Sequence, residues 1–135
     1  MKDHVYSGAV GCVVCMVLFV LKACGVGEKY EDLGGGYMLV NEGAGGRFIT
    51  GEIPPNGVVP PNVISCEWDG NFIVVKQCPS GSDVGKDMLE RYDRGLDSMY
   101  YWLVVKHDAK CYGPMGYSDY VWLRGVYSVP ESLVL

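Results

Sequence analysis

The hydrophobic positions divide the chain into an apolar opening segment and a longer region of short alternating patches. Val5 to Leu21 is a run of 17 residues without a charged side chain, preceded by Lys2 and followed by Lys22-Ala23-Cys24. As a helix this run would extend about 25 Å, slightly less than the roughly 30 Å hydrocarbon core of a bilayer. A positive end followed by an apolar core is typical of a secretory signal.

The end of the apolar run resembles the lipobox of bacterial lipoproteins, in which a small residue precedes a cysteine that is lipidated. Ala23 and Cys24 occupy these two positions, whereas Lys22 and Asp3 depart from the usual pattern. The resemblance implies that residues 1–24 form a signal peptide and that a lipid on Cys24 anchors the exported protein in the bacterial cell-envelope membrane, inner or outer. Two alternatives stay open: an uncleaved membrane anchor, and a buried core helix of a cytosolic domain.

The composition changes after Cys24. Residues 25–36 combine a charged stretch with Gly34-Gly35-Gly36, which predicts a flexible tether. The glycines do not form a phosphate-binding loop, because that motif needs a lysine and a hydroxyl at fixed spacing. Residues 37–135 are sufficient for a single globular domain with a modest core.

The clearest local pattern in this domain is a hairpin around Asp69-Gly70. Val63–Trp68 and Asn71–Gln77 are both rich in strand-forming residues. Asp-Gly between two such runs is a strong hairpin signal, because both central residues can adopt positive φ. A two-residue turn would place one apolar face on the pairs Trp68 with Asn71, Cys66 with Ile73, and Ile64 with Val75.

Further patches predict the remaining elements. Tyr37–Val40 and Arg47–Thr50 would pair across Gly43–Gly46. Met99–His107 is the most apolar run of the domain and predicts a central strand buried on both faces. Asp83–Asp97 fits a short surface helix or an ordered loop equally well.

The C-terminal pattern predicts one helix. Ser118 would be its N-cap and Gly125 its C-terminal stop, with an apolar stripe of Tyr120, Val121, Leu123 and, as a further candidate, Trp122. The predicted fold is α+β, mainly β: a small antiparallel sheet of about five or six strands with one C-terminal helix, preceded by the signal or anchor helix. A common core is expected for Trp68, Ile73, Val75, Trp102 and Val104.

Charge and candidate chemistry exclude several functions. Residues 25–135 contain nine basic and fifteen acidic residues, a net charge of −6, which argues against a nucleic-acid partner. The only Cys-x-x-Cys pair, Cys12 and Cys15, lies inside the apolar run, so no zinc site is predicted. We expect no metal and no other cofactor.

Three cysteines, Cys66, Cys78 and Cys111, remain after Cys24. Cys66 and Cys78 are predicted to be too far apart for a bridge, whereas Cys111 could bridge either one, or all three could be buried thiols. Cys111 is also a candidate nucleophile with His107 as its base, but Asp108 should point to the other side of the strand. We expect His107 to be a partly exposed residue at a hairpin end.

Carboxylates offer a weaker candidate. Glu52 and Glu67 could form an acid/base pair, although no spacing singles them out. The sequence therefore predicts no catalytic residue, and Cys24, as the lipidation site, is the only site residue.

Several motifs carry a resemblance to a known family. They are Ile73–Pro79, Tyr101–Lys106, Tyr112-Gly113-Pro114 and the helix opening at Ser118. In this order they resemble small bacterial lipoproteins catalogued as domain of unknown function 3997, over roughly Tyr37 to Val126. The resemblance implies export and lipidation and supplies no catalytic residue.

Three functions remain as hypotheses. The first is a non-enzymatic, membrane-tethered lipoprotein that binds a partner or supports an envelope assembly. The second is an envelope-facing inhibitor or immunity-type protein, with the proline-rich stretch 54–61 as a protruding binding loop. The third is a weak hydrolase that uses His107.

Overall fold

The computed structural model describes residues 29–43, 46–51, 59–81 and 84–135. The predicted signal peptide, residues 1–24, lies outside these ranges. The described residues form two antiparallel sheets and a C-terminal helix. The strands are β1 (Lys29–Gly34), β2 (Tyr37–Asn41), β3 (Arg47–Gly51), β4 (Val63–Trp68), β5 (Phe72–Gln77), β6 (Tyr100–Val105) and β7 (Lys110–Met115), and the helices are α1 (Lys86–Leu89) and α2 (Tyr117–Tyr127).

The first sheet has the strand order β1-β2-β3, and the second has the order β4-β5-β6-β7. The predicted mainly β fold with one C-terminal helix is confirmed, whereas the single sheet of five or six strands is wrong. Val59 still bridges Ile49 of β3 through backbone hydrogen bonds of 3.0 and 3.1 Å. Pro60 and Pro61 follow and cannot donate to a ladder, so the chain leaves the first sheet there before β4 begins the second.

The second sheet is covered on both faces. One face packs against the first sheet and shares a core with it, and the other packs against α2 and the C-terminal tail. The core between the sheets contains Leu33, Tyr37, Leu39, Ile49, Val59, Val63, Ile73, Val75, Tyr92, Tyr100, Trp102 and Val104. The core under α2 contains Phe72, Val74, Leu103, Val105, Tyr120, Val129 and Leu133.

Strand β1 lies in the stretch predicted to be a flexible tether. Leu33 is its only buried residue, so its side-chain pattern carries almost no strand signal. The strand forms because Gly34, Gly35 and Gly36 all adopt positive φ, which only glycine does at low cost, and turn the chain back into β2. The Asp32 carboxylate accepts the Gly34 N–H at 2.8 Å and supports this turn.

The β4–β5 hairpin forms as predicted, but its register is shifted by two residues. Trp68 pairs with Ile73 and Cys66 pairs with Val75. The Asp69 carboxylate accepts the N–H groups of Asn71 and Phe72, both at 2.8 Å, so the connection is longer than two residues. A shift of two keeps the same side chains on the inner face, because side chains alternate with a period of two.

Ile64 is the exception in this hairpin. The pairing is irregular between Val63 and Ser65, so Val63 is buried and Ile64 is 43% exposed. The prediction that Ile64 lies on the apolar face opposite Val75 is therefore wrong, because a bulge reverses the alternation locally.

Strand β6 is the central strand that the sequence predicts. Trp102, Leu103, Val104 and Val105 are all buried, and they alternate between the two cores. The predicted common core is confirmed: Ile73, Val75, Trp102 and Val104 belong to it, and the half-buried Trp68 packs against it.

A buried polar network lies within the inter-sheet core. Gln77 is fully buried, and its amide oxygen accepts the Trp102 indole N–H at 2.7 Å. Its amide nitrogen donates to the carbonyl oxygens of Pro60 and Pro61 and to the Tyr92 hydroxyl, at 3.1, 2.9 and 3.0 Å. Since each polar group is paired, the network ties β5 and β6 to the segment that links the sheets.

The ends of α2 differ from the prediction. The helix begins at Tyr117 after Gly116, no side chain caps it, and the Gly116 carbonyl accepts the Tyr120 N–H at 3.0 Å. Ser118 therefore lies inside the first turn. The helix continues through Gly125 and ends at Tyr127. Ser128 is its C-cap: it adopts left-handed φ, and its N–H donates to the Arg124 and Gly125 carbonyls.

The ambiguous stretch 83–97 combines both predicted forms. Described from residue 84 onward, it contains the one-turn helix α1 followed by hydrogen-bonded turns. The Tyr100 hydroxyl accepts the Arg94 N–H and donates to the Gly95 carbonyl, at 2.9 and 2.7 Å, and so anchors these turns to β6.

Candidate functional site

Two predicted site residues, Cys24 and Glu52, lie outside the described residues. Cys24 lipidation and the Glu52–Glu67 pair therefore stay predictions. Within the described ranges, no helix is long and apolar enough to span a membrane. The same ranges hold no group of three or more His, Cys, Asp or Glu side chains arranged to bind a metal ion.

His107 and Cys111 lie in different environments. His107 lies in the β6–β7 turn with its side chain 67% exposed, which confirms the predicted hairpin-end position. Cys111 is half-buried on β7 and packs against the inter-sheet core. Burial raises the pKa of the Cys111 thiol to about 11, so the thiol stays protonated near neutral pH. This arrangement does not provide an activated nucleophile.

Asp108 is placed differently from the sequence prediction. Its Oδ1 lies 3.4 Å from Nε2 of His107, on the same side of the chain. The alternation rule does not apply here, because both residues belong to a turn and not to a strand. The Asp108 side chain is 42% exposed, so the contact is a solvated surface pair.

The three described cysteines are free thiols. Cys66 and Cys111 lie on the two edge strands of the second sheet, three strand spacings or about 14 Å apart. Cys78 follows β5 three residues beyond the partner of Cys66, about 10 Å away along the strand. A disulfide needs Cα atoms within about 7 Å, so Cys66 is not placed to form one with either of the other two. Burial raises the pKa of the Cys66 thiol to about 12.

A cleft of about 500 Å³ opens at one end of the two sheets, beside Lys106, Asp32, Asp69 and Trp68. The Lys106 ammonium donates to the carbonyl oxygens of Leu33 and Asp69 and so ties β1 to the β4–β5 turn. Desolvation lowers the pKa of Lys106. Both Asp32 and Asp69 cap backbone N–H groups, so the charged groups of this cleft already stabilise turns.

The outer face of α2 presents the largest exposed apolar side chains near the C-terminus. Trp122 is 69% exposed, and Val121 and Val126 beside it are also exposed. Tyr120, Leu123 and Tyr127 form the opposite, inward side and pack on the sheet. We define the exposed residues Tyr117, Val121, Trp122, Gly125 and Val126 as the α2 outer face.

A groove of about 300 Å³ adjoins this face between α2 and the C-terminal tail. Tyr101 and Tyr120 stack in it with ring centroids 5.0 Å apart, and Tyr117 lies 5.3 Å from Tyr101. Arg124 lies over the Tyr120 ring at 5.5 Å and donates to its hydroxyl at 2.8 Å. Tyr117 and Val121 belong both to the groove and to the α2 outer face, so the two surfaces are continuous.

Sequence reasoning assigned Val121 and, as a candidate, Trp122 to the stripe that faces the core. The spacing of Tyr120, Leu123 and Tyr127 would have corrected this assignment, because i, i+3 and i+7 define one face of a helix. When Tyr120, Leu123 and Tyr127 face the sheet, Val121, Trp122 and Val126 lie on the solvent-exposed side of the helix. The signal for the buried side is therefore present in the sequence, although Val121 and Trp122 make the opposite side of this short helix apolar as well.

Fold and surface together define a small two-sheet domain with an exposed apolar helix face. The chain belongs to the family described as protein of unknown function (DUF3997), whose model matches residues 34–135. The family resemblance stated from the sequence motifs is therefore confirmed. No curated protein and no solved structure matches the chain.

Proposed function

We propose that this protein is a membrane-tethered bacterial lipoprotein whose domain binds a protein partner through the α2 outer face. The tether rests on the apolar run Val5–Leu21 and the lipobox-like Ala23-Cys24. The binding role rests on one observation: Trp122 is 69% exposed between two exposed valines. Tryptophan is the residue type most enriched at the energetic centres of protein interfaces.

Exposed apolar side chains become informative when they are contiguous. Tyr117, Val121 and Trp122 follow one another around the outer side of α2, and the tyrosine groove continues this surface. Water contact with such a surface is unfavourable, and burying it against a partner would release about 25 cal/mol per Å² of apolar area. Contiguous exposed apolar patches on soluble domains commonly mark interaction sites.

The layer order of the domain supports a tether on one side and binding on the other. Strand β1 is the described element nearest in sequence to Cys24, and it belongs to the first sheet. Helix α2 packs on the opposite side of the second sheet. A lipid on Cys24 would hold the first-sheet side near the membrane and leave the α2 outer face accessible.

The hydrolase hypothesis has less support. His107 pairs with the solvated Asp108 and is itself largely exposed, and Cys111 is a half-buried thiol that stays protonated at neutral pH. The inhibitor or immunity-type hypothesis is the version of partner binding in which the partner is an enzyme. Its proposed loop, residues 54–61, is described only from Val59 onward.

A photo-crosslinking amino acid at position 122 of the full chain, expressed in native cells, tests the binding role. We expect one discrete crosslinked protein, identified by mass spectrometry. Position 64 is the matched control, because Ile64 is also exposed but lies on the edge strand β4. Equal crosslinking at both positions, or none at position 122, would exclude the α2 outer face as the binding site.

The tether is tested by Cys24→Ser with membrane fractionation and intact mass. We expect the wild type to begin at Cys24 with a diacylglyceryl group, and the variant to lose both the lipid and the cleavage. A wild-type chain that begins at Met1 without lipid would make the uncleaved anchor the better hypothesis.

A further inference from the structure

Gly125 lies in the α2 outer face at a position where the domain itself does not need glycine. It is in the last two turns of the helix, and its φ is not in the left-handed region. A Cβ added there would meet no described heavy atom within 4 Å. Glycine inside a helix is less stable than alanine, so the residue weakens the isolated domain without any packing benefit. Its useful property is that another backbone can approach closely.

The residues around Gly125 suit a helix as the approaching element. Val121, Trp122 and Val126 lie within one helical turn of Gly125, and their side chains project beyond the glycine backbone. A glycine between larger side chains allows a second helix to pack with a short distance between the two helix axes. An amphipathic helix that places its apolar side on such a surface is a common recognition mode.

The charged residues around this face indicate which net charge the approaching helix should carry. Asp119 is the only charged residue among the exposed positions of α2. The one cation of α2, Arg124, is engaged within the domain, where it donates to the carbonyl oxygens of Leu133 and Pro130 at 2.6 and 2.9 Å. The exposed Glu131 lies in the turn that follows. The Arg94 guanidinium lies near Gly116, just before the helix, but it donates to the Met99 carbonyl and lies over the Tyr100 ring. The charges near α2 that remain available among the described residues are therefore acidic.

We propose that the α2 outer face binds a cationic amphipathic helix of the partner, with Trp122 in its apolar side and Gly125 at the closest approach. This inference rests on the proposed function and adds the chemistry of the partner. Lysine or arginine residues that flank the apolar stripe of the partner would pair with Asp119 and Glu131. Complementary charge contributes specificity and a faster association rate.

Two other occupants fit the same face less well. A lipid surface recruits amphipathic helices that carry lysine and arginine on their polar side, and the exposed positions of α2 carry none. A second copy of the chain would bring a domain of the same net charge, −6 for residues 25–135, against the same acidic rim. Charge repulsion opposes both arrangements.

The test uses the full chain in phosphatidylcholine nanodiscs, with empty nanodiscs as background. The probes are two 18-residue helical peptides with the same leucine stripe, one with a lysine polar face and one with a glutamate polar face. We expect the lysine peptide to bind at least about tenfold more tightly than the glutamate peptide. Trp122→Ser and Gly125→Ala should each weaken its binding by about tenfold or more.

Gly125→Ala separates binding from stability. Because alanine favours the helix, this variant should melt about 4 °C higher than the wild type while it binds more weakly. Gly85→Ala is the matched control, since a Cβ at Gly85 also meets nothing within 4 Å but lies at α1. We expect Gly85→Ala to bind the lysine peptide as the wild type does.

Several outcomes would overturn the inference. The inference is wrong if both peptides bind with equal affinity, or if Gly125→Ala binds the lysine peptide as tightly as the wild type. It is also wrong if peptide binding does not exceed that of empty nanodiscs, or if the protein forms a dimer that Trp122→Ser dissociates. If position 122 crosslinks a protein in cells but these results follow, partner binding stands and the cationic helix is wrong. If position 122 crosslinks nothing, the proposed function fails as well.

Discussion

Trp102 lies in the core between the two sheets, and Trp122 lies on the α2 outer face. The two residues show what burial of a tryptophan requires. Trp102 is 2% exposed on β6, and its indole N–H is paired with buried Gln77. Trp122 is 69% exposed on α2, among other exposed apolar side chains. The inter-sheet core is therefore complete within the domain, whereas the α2 outer face has apolar surface that no described residue covers.

Hydrophobicity alone therefore does not define a core position. Both tryptophans lie in apolar runs, but only Trp102 belongs to a strand enclosed on both faces with a partner for its polar atom. The helix has just one side to bury, and Tyr120, Leu123 and Tyr127 already occupy it. The following changes test this contrast.

The largest effect is expected for Trp102→Ala. The substitution removes a large buried side chain and the shorter of two hydrogen bonds to the Gln77 amide oxygen, which keeps the Tyr92 hydroxyl as a donor at 3.3 Å. The free energy of unfolding should therefore fall by about 3–5 kcal/mol. That is a large part of the stability of a domain of this size. Chemical denaturation measures the loss, and an unchanged midpoint would contradict a central position for β6.

A smaller loss is expected for Gln77→Leu. Leucine is similar in volume but cannot pair the Trp102 indole or the Tyr92 hydroxyl. The unpaired buried groups lower the free energy of unfolding, and the added apolar burial of leucine partly offsets this, so we expect a net loss of about 1–3 kcal/mol. Denaturation of this variant, alone and combined with Trp102→Phe, tests the coupling. If the two changes are strictly additive, the network does not act as a unit.

A much smaller effect is expected for Trp122→Ser in the isolated protein. Since the side chain is largely exposed, the free energy of unfolding should change by less than about 0.5 kcal/mol. Thermal melting compared with Trp102→Ala makes the contrast direct. A loss near that of Trp102→Ala would show that α2 packs with the opposite face inward and would remove the basis for the binding surface.

The smallest effect is expected for His107→Ala. Burial raises the pKa of the Cys111 thiol to about 11, so alkylation at Cys111 should be slow at pH 6 to 8 and rise with pH. Peptide mapping of the alkylated protein should give the same rate with and without His107. Rapid labelling at pH 6 that disappears in the variant would revive the Cys-His nucleophile.

Local patterns determined much of this protein. The run Met99–His107 specifies β6, because β-branched and aromatic residues without polar alternation suit a strand buried on both faces. The same holds for β5 and for the common core of Ile73, Val75 and Trp102. The lipobox-like Ala23-Cys24 is also readable only from the sequence, and it stays a prediction here.

The detailed geometry of turns and long-range contacts determined the rest. The Gly34–Gly36 turn pairs Lys29–Gly34 with β2, and Lys106, 73 residues after Leu33, holds this strand by binding the Leu33 carbonyl. The hairpin register depends on how the Asp69 carboxylate caps the turn, which a two-residue motif does not encode.

The exposure of the α2 outer face is also determined by tertiary contacts. Trp122 and Tyr120 have similar local sequence signals, and only the packing of Tyr120 on Leu103 and its neighbours decides which of them remains exposed. The sequence by itself specifies strands and a helix through local periodicity. The tertiary structure decides which apolar sides are enclosed, because burial depends on partners that are distant along the chain.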